Sequence, residues 1–187
     1  MIKHWTKTGS RPIGHYRIFD LRFERKVSPR NGSELEAVIL DCPDWVHVIP
    51  VTPDNHLVMV EQYRHGTDTV ELEVPGGMID RSDASPVEAA IRELREETGY
   101  EGDNAKVIGT IYPNPAFMTN TCHTVLIENC RLKHPVEFDH GEDLLTRRVA
   151  VNDIPRLIGE RGIRHSLVVV GLYYFELWRR GLERPGT

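Results

Sequence analysis

The 187-residue sequence is short of cysteine, of paired histidines, of long apolar runs and of excess positive charge, and each shortage removes a class of protein. Cys42, Cys122 and Cys130 are too few and too irregularly spaced for a disulfide framework or a zinc site, so a reducing cytoplasm is the expected setting. No stretch is long enough to span a bilayer, and MIKHWTKTGSRP at the start holds no apolar run of the signal-peptide kind, so no membrane partner is expected. A net charge of −5 gives no broad electrostatic case for nucleic acid. The nine histidines form no ligand-spaced pair, and His123 in CHTVLI reads as a core histidine. There is no Gly-X-Ser-X-Gly elbow and no glycine-rich loop ending in Lys-Ser or Lys-Thr, which removes the usual serine hydrolases and P-loop enzymes. Internal repeats and low-complexity tracts are also missing.

What is there begins with a 40% apolar content, enough for one globular domain with a real core. From Trp5 to about Cys42, HYRIFDLRFERKV alternates apolar and polar, SPRNGSE supplies turn residues, and LEAVIL follows. This predicts an N-terminal β extension over residues 1–43, too small to bury a core of its own and packed on the main domain, residues 44–187, or on a second subunit. Trp45 to Thr52 and His56 to Tyr63 read as a hairpin around Pro53, Asp54 and Asn55, with Thr69 to Val74 as a third strand. Lys106 to Tyr112, Thr121 to Glu128 and Arg147 to Val151 read as further strands, the first two joined by the loop PNPAFMTN. Asn152 is expected to cap a short helix through Ile158, and Ser166 to Arg180 to form a terminal helix with Leu, Val, Tyr and Trp inward. Strands and helices in this order predict an α/β fold, an α/β/α sandwich with a mixed sheet.

The chain is organised around EVPGGMIDRSDASPVEAAIRELREETGY, residues 73–100. Ser85, Pro86 and Glu88 form an N-cap, a first-turn proline and a capping-box glutamate, so a helix starts at Pro86 and runs until Gly99 stops it. At about 100° per residue, Val87, Ala90, Ile91 and Leu94 share one face, while Glu93, Glu96 and Glu97 gather on another. Like charges three and four apart cost a helix roughly 0.2 to 0.5 kcal/mol per pair, and no lysine stands on that face to relieve them. A cation would, and hard carboxylate oxygens suit Mg²⁺ or Mn²⁺. The competing reading is a solvated face with ordinary salt links.

At these residues the sequence resembles the Nudix hydrolases, whose signature is GX5EX7REUXEEXGU with U a bulky apolar residue. Arg92 to Tyr100 match its second half throughout. In the first half, counting back from Arg92 puts the motif glutamate on Ala84 and the glycine on Met78, so Gly77 fits only with one residue inserted near Asp83. Asp83, one methylene shorter, then stands in for the glutamate that orients the loop and the arginine. The resemblance implies the Nudix sandwich, metal ligation by Glu93, Glu97 and Glu96 with the carbonyl of Gly76, and an Arg92 that holds the glutamates and loop in place. It further implies hydrolysis of a nucleoside diphosphate sugar, ADP-ribose first, to AMP and ribose 5-phosphate. Alternatives are GDP-mannose, NADH, a dinucleoside polyphosphate, or a Nudix-fold module that binds a nucleotide without cleaving it.

Outside this stretch, Arg64 in VEQYRHG resembles the substrate arginine of ADP-ribose pyrophosphatases, and a guanidinium forks well onto phosphate oxygens. The alternative is a surface arginine paired with Glu61 or Glu71. Pro115 lies close to where that branch carries a proline, and is otherwise a plain turn residue. In HGEDLLTRR, Glu142 is the candidate for the additional loop glutamate that positions or deprotonates water, with Asp143 second. Trp5 is a candidate for stacking on adenine. The resemblance implies a homodimer whose N-terminal strands help to build the nucleotide pocket.

Overall fold

The structure, a computed structural model, describes residues 1–138 and 143–182. The chain divides into two compact units, one of residues 1–44 with 112–121 and one of residues 45–111 with 122–187.

The first unit is an antiparallel meander of β1 (Thr6–Tyr16), β2 (Phe19–Val27) and β3 (Glu34–Asp41). Its second turn is SPRNGSE, where Gly32 adopts a φ of 72° and donates its N–H to the Ser28 carbonyl at 2.9 Å. Strand alternation puts Arg22, Glu24 and Lys26 on one face. Glu24 is buried there, and Lys7 Nζ at 2.6 Å, with Arg22 Nε at 3.0 Å, lowers its carboxyl to about 2. The segment Tyr112–Thr121 joins this unit through β3: Leu40 donates its N–H to the Phe117 carbonyl at 2.8 Å, and the Leu40 carbonyl accepts the Thr119 N–H at 3.1 Å.

The second unit holds two sheets, ordered β10-β5-β6 and β7-β4-β9-β8. The strands are β4 (Trp45–Pro50), β5 (His56–Arg64), β6 (Thr69–Glu73), β7 (Gly76–Met78), β8 (Tyr100–Ile111), β9 (Cys122–Leu132) and β10 (Leu144–Ala150). The helices are α1 (Pro86–Thr98), α2 (Ile154–Gly159) and α3 (Ser166–Arg179). Only the β4–β9 pair is parallel among these pairings, so the architecture is mixed. The period of two along β4 and β9 builds the sandwich. Val46, Val48, Val125 and Ile127 pack under Ala89, Ala90 and Leu94 of α1. Ile49 and Leu126 face the opposite way, into a second core with Leu57, Met59, Val168, Leu172 and Phe175. The four-stranded sheet is therefore covered by α1 on one face and α3 on the other, the expected α/β/α arrangement.

Several local expectations are corrected. Residues 45–52 and 56–63 do not form a hairpin: the turn is present, with Asn55 at a φ of 60°, but only Val51 and Leu57 bridge across it. Strand β4 already has β7 and β9 on its two edges, so β5 pairs with β10 and β6 in the other sheet. Asn152 caps nothing, because it lies inside a 3₁₀ turn, Val151–Asp153, that runs directly into α2. On α1, Ile91 is 44% exposed while Ala89 takes its place inside. On α3, Tyr173 is 63% exposed, and Phe175 fills the core with Trp178 stacked beside it.

Candidate active site

Helix α1 is fixed at both ends by its own sequence. Ser85 Oγ accepts the Glu88 N–H at 3.2 Å, and the Glu88 carboxylate accepts the Ala84 N–H at 3.0 Å. At the other end Gly99, with a φ of 73°, donates its N–H to the Arg95 carbonyl at 2.8 Å. Between these caps the helix carries its glutamates at fixed angles against the loop that follows β6.

That loop is built to approach them. A side chain on Gly77 would place its Cβ 2.4 Å from Glu93 Oε1, and one on Gly76 would strike the Val46 carbonyl oxygen at 2.2 Å. Glycine is required at both positions by close approach. Glu97 is 2% exposed, and its Oε2 accepts the Gly76 N–H at 3.1 Å. Glu93 is also buried, while Glu96 is half-buried.

Arg92 ties loop and helix together. Its Nε and Nη2 fork onto Asp83 at 3.2 and 2.9 Å, and Nη2 also donates to the Met78 carbonyl at 3.1 Å. Its Nη1 lies 3.0 Å from both Glu93 Oε1 and Glu96 Oε2. Asp83 in turn accepts the Asp80 N–H at 2.9 Å, closing the loop over residues 80–83. The hydrogen bond from Arg92 holds the Asp83 carboxyl below the usual aspartate range, and Asp83 first among its partners raises the arginine further. The repulsion read from the helix alone is thus partly relieved by an arginine on the helix itself, an effect the helical wheel did not show.

The donor chemistry fits a hard divalent cation: two carboxylate oxygens, on Glu93 and Glu96, already converge on one positively charged nitrogen, beside the glycine pair Gly76 and Gly77. Among the described residues no three His, Cys, Asp or Glu side chains form a ready ligand cluster, because Glu93 and Glu96 turn to Arg92 and Glu97 turns to Gly76.

The other sequence candidates fall as follows. Arg64 belongs to the same unit as α1 and forks onto Glu73 through Nε at 2.7 Å and Nη2 at 2.8 Å. Of the two anticipated partners, Glu61 pairs with Arg147 and Glu71 with Arg164. Trp5 and Pro115 belong to the first unit. Trp5 is partly exposed and lines, with Lys3, Ser28 and Arg30, a cavity of about 370 Å³. Pro115 is an exposed turn residue after Asn114, whose carbonyl accepts the Met118 N–H at 2.9 Å. Glu142 lies outside the described residues, and Asp143 is exposed just before β10.

Sequence reasoning missed Glu73 and His47. Glu73 is 0% exposed in the strand that feeds the loop, and a glutamate inside the apolar run LEVP was the available signal that a cation must meet it. His47 pairs with Gly76 across β4 and β7, and burial, followed by the charge on His165, pulls it down to about 4. Nothing in its sequence neighbourhood marked it.

Comparison with known proteins accords with this geometry. The NUDIX domain matches residues 43–167. The chain is 28% identical over 162 residues to ADP-ribose pyrophosphatase of Bacillus subtilis, covering 86% of each sequence. It is 29% identical over 148 residues to the methanol dehydrogenase activator of Bacillus methanolicus, covering 79% of this chain and 80% of the relative. Its fold superposes on the crystal structure of an ADP compounds hydrolase with a TM-score of 0.85 at 22% identity, covering 97% of each chain. With the capped helix, the arginine clamp and the two-glycine loop in place, the match over residues 43–167 makes this chain a member of the NUDIX family.

Proposed function

We propose that this pyrophosphohydrolase cleaves the pyrophosphate bond of a nucleoside diphosphate sugar, ADP-ribose first, giving AMP and ribose 5-phosphate. The observation that carries the reading is the clamp: Arg92 holds Asp83, the Met78 carbonyl, Glu93 and Glu96 at once, beside the close-approach glycines Gly76 and Gly77. The similarity to ADP-ribose pyrophosphatase of Bacillus subtilis supports the choice of substrate.

Glu93, Glu96, Glu97 and the Gly76 carbonyl are the groups that would hold Mg²⁺ or Mn²⁺. A bound divalent ion supplies neutralisation of the polyanion and a lowered pKa for water. The chain's own residues do the positioning. Glu97 fixes the Gly76 amide, and Arg92 fixes the loop through Asp83. Arg64, whose Nε and Nη2 are held by Glu73, is the candidate cation for a substrate phosphate, and Glu142 serves as the loop carboxylate that takes a proton from water. Water oxygen adds to one phosphorus, the bridging P–O bond breaks, and each product keeps one phosphate. The non-catalytic reading rested on a missing motif glutamate; the Asp83 carboxylate on Arg92 supports the enzyme instead.

We further propose a cytoplasmic homodimer in which the extension over residues 1–43, with Trp5 and Pro115, contributes to nucleotide binding. The exposed Ile13, Ile18, Leu35 and Val38 of the meander support a covering partner. The free cysteines and the lack, among the described residues, of a helix long and apolar enough to cross a membrane agree with that setting.

The test is release of nucleoside monophosphate with Mg²⁺ from ADP-ribose, GDP-mannose, NADH and a dinucleoside polyphosphate. The highest kcat/KM is expected for ADP-ribose. A higher value for another member reassigns the substrate, and tight nucleotide binding with no release from any of them establishes a binding module.

A further inference from the structure

The last turn of α1 carries a conflict. Glu96 and Glu97 lie in it, just before the helix ends at Thr98. A helix C-terminus already holds the negative end of the backbone dipole, and its last four carbonyls have no partner inside the helix, so two carboxylates there favour fraying. Glu93, four residues before Glu97, adds like-charge repulsion. A metal site that uses Glu96 and Glu97 needs this turn closed before the ion arrives.

The closure comes from outside the helix. Residues 133–137, which follow β9, form a strap across the C-terminal end of α1. Lys133 and His134 both donate their N–H groups to the Gly99 carbonyl at 3.0 Å, and Glu137 donates its N–H to the Glu96 carbonyl at 2.9 Å. The Arg95 carbonyl takes the Gly99 N–H and the Leu94 carbonyl the Thr98 hydroxyl, so three successive carbonyls of the turn have donors. The fit of the strap is tight: a Cβ on Gly99 would lie 2.2 Å from the His134 carbonyl oxygen.

The strap is anchored in turn on β8. Glu101 Oε1 accepts from Lys133 Nζ at 2.8 Å, and Glu101 Oε2 lies 2.8 Å from His134 Nε2. Lys133 first, and His134 after it, draw the Glu101 carboxyl down to about 2, so it is ionised at neutral pH and the imidazole presents an N–H to it. His134 is the residue that joins the two sets of contacts. Its main chain sits on Gly99, and its side chain, 27% exposed, sits on Glu101.

We infer that His134 is a positioning residue for the metal-binding turn: through the strap of residues 133–137 it holds the last turn of α1 closed, so that Glu96 and Glu97 are in place before a divalent ion binds. The inference rests on the metal reading above.

The experiment uses the full chain in three variants, His134→Ala, His134→Gln and Glu137→Pro. Hydrogen exchange is followed in the metal-free protein, Mg²⁺ binding by calorimetry without substrate, and global stability by urea unfolding. In His134→Ala the amides of residues 96–99 should exchange about two- to fivefold faster, the range that an exposed ion pair allows, while those of α3 keep their rates. Mg²⁺ affinity should fall by up to the same factor, because only the closed turn offers both carboxylates. His134→Gln keeps an N–H for Glu101 and should recover most of both losses. Glu137→Pro deletes the N–H on the Glu96 carbonyl and should repeat both effects at about fivefold, the worth of one backbone hydrogen bond, with the imidazole untouched. In all three, kcat should stay near wild type at saturating Mg²⁺ and fall when Mg²⁺ is limiting.

Unchanged Mg²⁺ affinity in both His134→Ala and Glu137→Pro, with only a lower urea midpoint, would make the strap a plain stabilising contact and overturn the assignment. A loss of kcat that excess Mg²⁺ does not restore would overturn it as well. If wild type binds no divalent ion, the metal reading falls on its own. The strap is then judged by exchange: faster rates confined to residues 96–99 support it, and unchanged rates there overturn it.

Discussion

Replacing Asp83 by alanine tests the reading of the clamp. The Asp83 side chain is 7% exposed, and three hydrogen bonds end on it: Arg92 Nε at 3.2 Å, Arg92 Nη2 at 2.9 Å and Asp80 N–H at 2.9 Å. Removing one partner of a charged, largely buried pair leaves the other uncompensated, at about 1.5 to 3 kcal/mol for such a bond. Arg92 remains partly solvated and keeps Glu93 and Glu96, so the expected loss of stability is about 1.5 to 2 kcal/mol, the low end of that range. Urea unfolding followed by fluorescence measures it. Turnover should suffer more. With Asp83 gone, Arg92 no longer fixes residues 78–83 against the helix, and a misplacement of about 1 Å at a reacting centre costs about 100-fold. Initial rates should therefore fall by about that factor in Asp83→Ala and recover in part in Asp83→Glu, while Ala84→Gly stays close to wild type. The pH dependence has a definite sign. The Asp83 pKa is lowered on folding, so its contribution is present above the unfolded value near 3.8 and is lost as pH falls through the folded value. Wild type and Asp83→Ala should then converge in stability below that range. Equal and negligible effects of Asp83→Ala and Ala84→Gly on rate would refute the reasoning, because no side chain would then be holding the loop through Arg92.

Further predictions concern the metal and the extension. Mg²⁺ or Mn²⁺ should raise the melting temperature by mass action, by about 2.7 kcal/mol of stability at 100 times the dissociation constant. Glu97→Gln should remove most turnover with the fold intact by circular dichroism, and full activity of this variant, or activity in excess chelator, would refute the metal assignment. Light scattering at micromolar concentration should report a homodimer, and deletion of the residues before Cys42 should give monomer or aggregate; a monomeric full-length chain rejects the dimer. Trp5→Ala should raise the KM for ADP-ribose with little change in kcat, whereas an unchanged KM removes this residue from the pocket.

The features legible in the sequence are those whose causes lie within a few residues of one another. Helix α1 begins at Pro86 and stops at Gly99 because its caps, proline and αL glycine act on backbone groups in the same turn. The meander strands and β6 follow from alternation bounded by turn residues, and Glu93, Glu96 and Glu97 follow from the helical angle. Tertiary structure decided everything that depends on which surface an element meets. The turn at Pro53 to Asn55 formed as its residues require, yet the strands beside it separated, because β9, more than 70 residues away in the chain, took the edge of β4 that a hairpin would have used. Periodicity placed Val87, Ala90, Ile91 and Leu94 on one face, but the position of the sheet turned Ile91 out and buried Ala89. The motif spacing left open whether residue 83 or 84 stands at the glutamate position, and tertiary structure sets the Asp83 carboxylate on Arg92 across the loop. Glu73 and Arg64 are nine residues apart, and Glu71 and Arg164 are 93 apart; both pairs form because buried carboxylates must be neutralised by whatever cation the fold brings within reach. Local hydrogen bonding and periodicity are properties of the chain, whereas neutralisation and burial are properties of the surfaces that folding brings together, and these cannot be read until the partner across the gap is known.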